Sequence, residues 1–174
     1  GLGLLFGNGA ASYISRLLGY GEKETANKAA STALYGSLLA GAVMIVCALL
    51  FLEPVLILLG ATESILPYAL AYAGIYTASS IFNVFNVTMN SIVTSEGAAR
   101  TTMCALMAGA VLNIVLDPVF IYVLGLGVTG AATATAISQA VSALVYLRYV
   151  LRRESVFTFR VQDCCFTGKI ISEI

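Results

Sequence analysis

Long apolar stretches separated by short polar segments form the dominant pattern along this chain. Each is long enough to cross a hydrocarbon layer of about 30 Å, which takes a helix of about 20 residues. The five stretches occupy residues 2–18, 29–52, 65–93, 102–124 and 129–150. The connections contain the glycine, proline, charged and small polar residues that favour turns. They span residues 19–28, 53–64, 94–100 and 125–130. The pattern predicts an all-α polytopic membrane protein with five transmembrane helices in one bundle.

The composition favours the same class of protein. Apolar residues make up 59% of the 174 positions, charged residues make up 10%, and the mean hydropathy is +0.93. A soluble domain carries charge on about a quarter of its residues. We therefore divide the chain into a transmembrane helical bundle over residues 1–150 and a polar, basic segment over residues 151–174.

The basic residues indicate which connections share one side of the membrane. All nine Lys and Arg residues lie in or beside the first connection, the third connection or the segment after the fifth stretch. They are Arg16, Lys23, Lys28, Arg100, Arg148, Arg152, Arg153, Arg160 and Lys169. Because basic residues are retained on the cytoplasmic side of short loops, we predict a multi-pass plasma-membrane protein. Its 19–28 and 94–100 loops and its C-terminal tail are then cytoplasmic.

Both ends of the sequence fall at unusual places for a membrane protein. The chain begins GLGLLFGNG, inside an apolar stretch, without a Met or a charged flank typical of a signal peptide. An odd number of spans with such ends predicts a piece of a larger helical membrane protein.

The cysteine and histidine content disfavours catalysis. Cys47 and Cys104 lie within apolar stretches, and Cys164 and Cys165 are adjacent in the tail. The sequence has no histidine, which is the commonest catalytic base and transition-metal ligand. We predict that the protein is not an enzyme, needs no cofactor and has no nucleic-acid partner.

A carboxylate stands deep in the fourth apolar stretch. Asp117 is the only acidic residue in such a position, and an ionised carboxylate at the membrane centre costs several kcal/mol unless it faces protein or water. No Lys or Arg lies deep enough to neutralise it permanently. Asn113 lies one helical turn earlier on the same face. Asp117 is therefore a candidate for reversible binding of a proton or a small cation.

Pro118 directly follows this carboxylate. Its ring nitrogen cannot donate to the carbonyl of Ile114, so the helix is expected to bend and to leave a backbone oxygen free. With the amide of Asn113, that oxygen makes a patch of the ligand type that a hard cation prefers. The alternative is that Pro118 only kinks the helix and that Asn113 compensates for the lost hydrogen bond.

Three of the predicted helices carry a polar face. In the third stretch the polar residues recur at spacings of 4, 3, 4, 3 and 4, which is one face of an α-helix. They are Tyr72, Tyr76, Ser79, Asn83, Asn86 and Asn90. The fifth stretch has a second such set, and the first stretch has a third. The two sets are Thr135, Ser138, Gln139, Ser142 and Tyr146, and Asn8, Ser12 and Ser15.

These polar faces must look inward, because unpaired polar groups in contact with lipid are costly. Three inward polar faces predict a wet cavity. Its expected lining includes Tyr76, Asn83, Asn86 and Gln139. The alternative is that these side chains only hold the helices together by hydrogen bonds, while small residues such as Gly41 allow close packing.

The run LNIVLDPVFIYVLGLGVTGAATATAISQ, residues 112–139, resembles the fifth and sixth helices of the multidrug and toxic compound extrusion (MATE) transporters. The shared pattern is an Asn, a Leu-Asp-Pro, a short glycine-rich turn and a GAAxAT-type helix. Two other segments resemble cytoplasmic loops of the family. They are SRLLGYGEKETANKAA (15–30), after the second helix, and TSEGAARTTM (94–103), before the fifth. The resemblance spans residues 1 to about 155.

The resemblance implies that the chain is helices two to six of a twelve-helix, two-lobe transporter, which is most of its N-terminal lobe. Its partners would be the lipid bilayer and the first helix and C-terminal lobe of the same transporter, and residues 151–174 would begin the inter-lobe segment. In the prokaryotic DinF-like branch of the family, a cation site combines an Asp of the first helix with four positions that match this chain. They match Asn113, Asp117, Thr135 and Tyr72.

The function that the resemblance implies is antiport. H⁺ or Na⁺ moving inward through the Asp117 site would be exchanged for small organic, often cationic, compounds moving outward. Na⁺ would bind at Asp117, Asn113 and Thr135, and occupancy would change the bend at a hinge at Pro118. Two alternatives remain open. One is a lipid-linked oligosaccharide flippase of the same superfamily, which should have a basic central cavity. The other is a non-transporting membrane fragment.

Overall fold

A computed structural model of the chain describes residues 2–152 and 155–159, with side chains described from residue 7 onward. The described residues form helices and connections and contain no β-strand. The helices are α1 (Leu2–Gly19), α2 (Lys23–Leu50), α3 (Leu52–Leu58), α4 (Leu66–Ser95), α5 (Ala99–Pro118) and α6 (Gly127–Leu151), with a π-helical turn (Val119–Val123) after α5. The prediction of an all-α protein is therefore confirmed.

Each predicted span corresponds to a helix, and three of them satisfy the usual length and composition for a membrane crossing. These are Lys23–Leu50, Ala99–Val123 and Gly127–Leu151. The other two predicted spans, α1 and α4, are helical over 18 and 30 residues. Helix α4 is long enough to span the bilayer. The polar face identified in its sequence lowers its apolar character.

The second connection is partly helical, which corrects the prediction that residues 53–64 form only a turn. Helix α3 occupies the first half of that connection. Glu53 and Pro54 lie in its first turn, where a proline is tolerated because the backbone N–H groups have no partner within the helix. Four apolar residues follow the proline and continue the helix until Gly60, whose φ of 95° ends it.

Helix α4 is the centre of the bundle. It packs against α1, α2, α5 and α6, while α6 also packs against α5. The largest apolar cluster lies at the end of the bundle where the α1–α2 and α4–α5 connections meet, and it includes Ile14, Ala30 and Ile92. The outer surface of the bundle exposes large apolar side chains such as Met107 and Leu144. This arrangement, small and polar inside and large and apolar outside, suits lipid surroundings.

The start of α6 depends on a glycine. A Cβ placed on Gly130 would lie 2.7 Å from the backbone oxygen of Phe120, in the π-helical turn. A backbone atom cannot move aside as a flexible side chain can, so Gly130→Ala is expected to destabilise the fold by about 1–3 kcal/mol. The thermal midpoint of the purified protein should fall.

The matched control is Gly19→Ala at the end of α1, where an added Cβ meets nothing within 4 Å. Because alanine is the better helix former at both positions, helix propensity alone would raise both midpoints. Equal midpoints for the two variants would contradict the close approach of α6 to the π-helical turn.

Candidate functional site

A polar cavity of about 490 Å³ opens between α1, α4, α5 and α6. Most of its lining side chains are amides or hydroxyls, and none of the lining residues carries a charge. The lining residues are Asn8, Asn83, Asn86, Val87, Asn90, Ser91, Leu106, Gly109, Ala110, Asn113, Thr135, Ser138, Gln139, Ser142 and Tyr146. The inward polar faces of three helices thus meet around one space.

The amide of Asn86 bridges α4 and α6 at the wall of this cavity. Its Nδ2 donates to the backbone oxygen of Gln139 at 2.9 Å and to Oε1 of Gln139 at 2.8 Å. Because a backbone oxygen can only accept, these bonds fix which end of the Asn86 amide faces α6. The Oδ1 of Asn86 has no hydrogen-bond partner among the described residues, although the side chain is only 7% exposed. A buried acceptor of this kind needs a donor from water or from a ligand.

Asn113 joins the cavity to the carboxylate of Asp117. Its Nδ2 donates to Oδ1 of Asp117 at 3.1 Å, so the two side chains occupy one face of α5 as their spacing predicts. Asn113 belongs to the cavity lining, and Asp117 lies one helical turn further along α5. Both side chains are half-buried. An ion bound at Asp117 would therefore be separated from the cavity only by the side chain of Asn113.

Pro118 marks a change in helical winding. It is the last residue of α5, and the chain continues directly into the π-helical turn. In that turn the backbone N–H of Leu124 donates to the oxygen of Val119, five residues earlier, at 2.9 Å. The irregularity expected at the proline thus takes the form of wider winding, a local feature that is frequent at functional sites.

Five of the residues predicted from the sequence line the same cavity. They are Asn83, Asn86, Asn113, Thr135 and Gln139. Tyr72 and Tyr76 lie outside its lining, because they occupy positions two to three helical turns nearer the start of α4 than Asn83. Their rings stack with centroids 6.0 Å apart, and 51% of Tyr76 is exposed. Helical spacing places both tyrosines on the polar face of α4, but they lie at a different depth along the helix from the cavity.

The polar pattern along the sequence does not reveal the role of Gly109. Helices α5 and α6 approach closely at this residue, where a Cβ would collide with the Oγ of Ser142. The approach lets that Oγ donate across the interface to the backbone oxygen of Ala105 at 2.9 Å. A glycine inside an apolar helix is the signal that the sequence offers, since small residues mark close helix contacts in membranes.

The three residues predicted to bind Na⁺ lie in or beside the cavity. The described residues contain no group of three or more His, Cys, Asp or Glu side chains that could hold a metal ion. Asn113 and Thr135 line the cavity, and Asp117 accepts a hydrogen bond from Asn113.

Known proteins resemble this chain over its whole length. The MatE family model matches residues 1–119. The multidrug export protein MepA of Staphylococcus saprophyticus is 35% identical over 174 residues, and MepA of Staphylococcus aureus strain MRSA252 is 33% identical. In both cases the match covers 100% of this chain and 39% of the relative. The chain therefore spans about two fifths of the length of these curated relatives.

Solved structures also resemble the fold of this chain. An inward-facing multidrug resistance MATE family transporter superposes with a TM-score of 0.92 at 34% identity, covering 99% of this chain and 39% of that chain. An outward-facing structure gives a TM-score of 0.91 at 34% identity, covering 99% and 38%. These relatives are transporters, which confirms the prediction that the chain is not an enzyme. The chain belongs to the MATE family of membrane transporters.

Proposed function

We propose that this chain is most of the N-terminal lobe of an antiporter that exports small organic, often cationic, compounds in exchange for H⁺ or Na⁺. The observation that carries this proposal is an uncharged polar cavity whose wall includes Asn113, hydrogen-bonded to Asp117. The multidrug export activity of the MepA relatives supports it. The first helix and C-terminal lobe of the same transporter would complete the protein, and no cofactor other than the coupling ion is required.

Asp117 is the proposed coupling residue. Its carboxylate can take up a proton, or it can join Asn113 and Thr135 as ligands of Na⁺. The resemblance adds Tyr72 to this site, although Tyr72 lies outside the lining of the cavity. Pro118 is the proposed hinge, since the change to π-helical winding directly after it gives the helix a place to bend. Ion occupancy would favour one of two lobe arrangements by binding that arrangement more tightly.

The free acceptor of Asn86 supports a substrate that donates hydrogen bonds. Its Oδ1 is buried at the cavity wall, and its orientation is fixed by the two bonds to Gln139. An ammonium group or a protonated heterocyclic N–H would satisfy this oxygen. The apolar parts of the cavity wall, such as Leu106 and Ala110, would contact the carbon skeleton. This combination fits organic cations.

Motion of the lobe as one unit is the proposed mode of transport. The fold matches an inward-facing and an outward-facing transporter almost equally well, with TM-scores of 0.92 and 0.91. Equal similarity to both supports a lobe whose internal structure changes little. Alternating access would then come from rocking this lobe against the C-terminal lobe.

The proposed location is the plasma membrane, with the basic connections in the cytoplasm. The α1–α2 and α4–α5 connections lie at one end of the bundle, because the segment after α6 hydrogen-bonds to Asn27 near the first and to Glu96 in the second. The basic residues that flank these connections are therefore on one side. The positive-inside rule assigns that side to the cytoplasm.

The alternatives receive less support from the site. A flippase for a pyrophosphate-linked oligosaccharide should present basic side chains, and the lining residues of the cavity include no Lys or Arg. A fragment without transport function receives less support, because the chain is similar to multidrug export proteins over its whole length.

The test is ethidium export by the intact transporter in everted membrane vesicles, with a pH gradient and a Na⁺ gradient imposed separately. One of the two gradients is expected to drive ethidium into the vesicle lumen, and that gradient identifies the coupling ion. Vesicles that lack the transporter are the control. No accumulation with either gradient would contradict the proposed antiport.

A further inference from the structure

A short non-helical segment after α6 lies against the end of the bundle. We name residues 155–159 the strap. It contacts the lobe at separate points on α2, at the α4–α5 connection and in the apolar cluster. A passive linker between two lobes would need none of these contacts. The strap is therefore packed as an integral part of the lobe.

Glu96, in the connection between α4 and α5, is the first anchor of the strap. Its Oε1 accepts a hydrogen bond from Oγ of Ser155 at 2.6 Å. Its Oε2 accepts one from the hydroxyl of Tyr149 on α6 at 2.9 Å and a longer one from the backbone N–H of Val156 at 3.4 Å. Burial raises the pKa of Glu96, although the hydrogen bonds to its carboxylate oppose that shift. One carboxylate thus joins α4, α6 and the strap.

Helix α2 supplies the second and third anchors. The backbone N–H of Thr158 donates to Oδ1 of Asn27 at 2.8 Å, and Nδ2 of Asn27 donates to Oγ1 of Thr158 at 3.1 Å. The hydroxyl of Tyr35 donates to the backbone oxygen of Phe159 at 2.9 Å. Asn27 and Tyr35 are eight residues apart on α2, so the strap is held along about two helical turns.

Apolar packing holds the strap between these anchors. Phe157 is only 3% exposed and belongs to the same buried cluster as Ile14 and Ala30. Phe159 stacks edge-on against Phe157, with ring centroids 6.0 Å apart. Its backbone φ is 45°, a left-handed conformation that is unfavourable for a residue other than glycine. Such a conformation persists only where the surroundings fix it.

We propose that the strap is a docking element that keeps the start of the inter-lobe connection fixed to this lobe throughout transport. This inference rests on the proposed function, in which two lobes move against each other. Residues 155–159 then move with this lobe during transport. By joining α2, α4 and α6 at one end, the strap also makes these helices move together.

The first test locks the strap in place. In the intact transporter, the native cysteines, four of which lie in this chain, are replaced and the pair Asn27→Cys and Thr158→Cys is introduced. A short bis-methanethiosulfonate reagent should cross-link the pair through two disulfide bonds, which a reductant cleaves, because the native side chains are within hydrogen-bonding distance. Ethidium export is expected to continue at the rate of the same variant before cross-linking. Loss of export that a reductant restores would overturn the proposal, since it would mean that the strap must leave its site.

The second test does not depend on transport. Amide hydrogen exchange of the purified protein should show protection at Val156 and Thr158, because docked N–H groups exchange only after local opening. Glu96→Ala is expected to accelerate exchange at Val156 by at least about tenfold, which corresponds to the loss of about 1.4 kcal/mol. Glu96→Gln should retain most of the protection, since the amide oxygen can still accept from the N–H of Val156 while the amide nitrogen donates to Oγ of Ser155.

The control for the second test is Glu63→Ala, which removes an exposed carboxylate from the α3–α4 connection. It should leave exchange in the strap unchanged. Exchange at Val156 and Thr158 as fast as in an unstructured peptide, in the parent protein, would overturn the proposal even if export is normal. If export fails in the parent while the strap is protected, the proposed function is wrong and the docking is supported.

Discussion

Replacing Asp117 with Asn in the intact transporter is expected to abolish gradient-driven export of ethidium. The amide of Asn has the size of the carboxylate and can still accept the hydrogen bond from Asn113 through its oxygen. It cannot take up or release a proton, and it offers Na⁺ no negative charge. Accumulation in everted vesicles should fall to the level seen without a gradient, while the amount of folded protein stays the same.

The control for this prediction is Glu63→Gln, the same chemical change in an exposed connection. It should leave export at the parental rate. If Asp117→Asn also exported ethidium at the parental rate with an unchanged gradient dependence, Asp117 would have a structural role and the coupling site would lie elsewhere in the transporter.

The second large effect is a loss of affinity for ethidium when Asn86 at the cavity wall is replaced. Asn86→Leu removes the buried acceptor and the two hydrogen bonds to Gln139, and it leaves a side chain of similar size. The amino groups of ethidium are its hydrogen-bond donors, and a buried donor left without an acceptor costs about 1–3 kcal/mol, so the affinity for ethidium should fall by about five-fold to a hundred-fold. Fluorescence titration of the purified transporter measures this affinity directly.

Thr133→Val is the matched control for Asn86→Leu. The hydroxyl of Thr133 bonds the backbone oxygen of Thr129 within α6, and Thr133 lies outside the cavity lining. Loss of this hydroxyl should change the affinity for ethidium less than twofold, because Thr133 does not line the cavity. The thermal midpoints of both variants show whether a lower affinity results from a loss of folding. An unchanged affinity in a folded Asn86→Leu variant would contradict the assignment of the cavity as the binding site.

Most of the fold can be predicted because membrane helices are encoded locally. Apolar length sets each span, and a helical period sets its inward face. The period alone therefore assigns Asn86 and Gln139 to the cavity, and the two side chains are hydrogen-bonded to each other at its wall. Asn113 and Asp117 can be paired for the same reason, since one helical turn separates them.

The remaining features depend on tertiary contacts. Helical spacing gives the face of a residue but not its neighbours at a given depth, which is why it assigns Tyr76 to the cavity although Tyr76 lies outside the lining. Pro54 favours a turn in the sequence of the second connection, but it stands near the start of α3, where proline is tolerated. The role of Glu96 requires Ser155, 59 residues away in sequence, and no local pattern connects the two.

The most direct test of the central claim is ion exchange by the purified intact transporter when it binds ethidium. Proton release is measured in weakly buffered solution, and displacement of Na⁺ is measured with a radioactive tracer. The parent is expected to release one of the two ions on binding, and Asp117→Asn is expected to release neither. Release of the same ion in the same amount by Asp117→Asn would contradict coupling through Asp117.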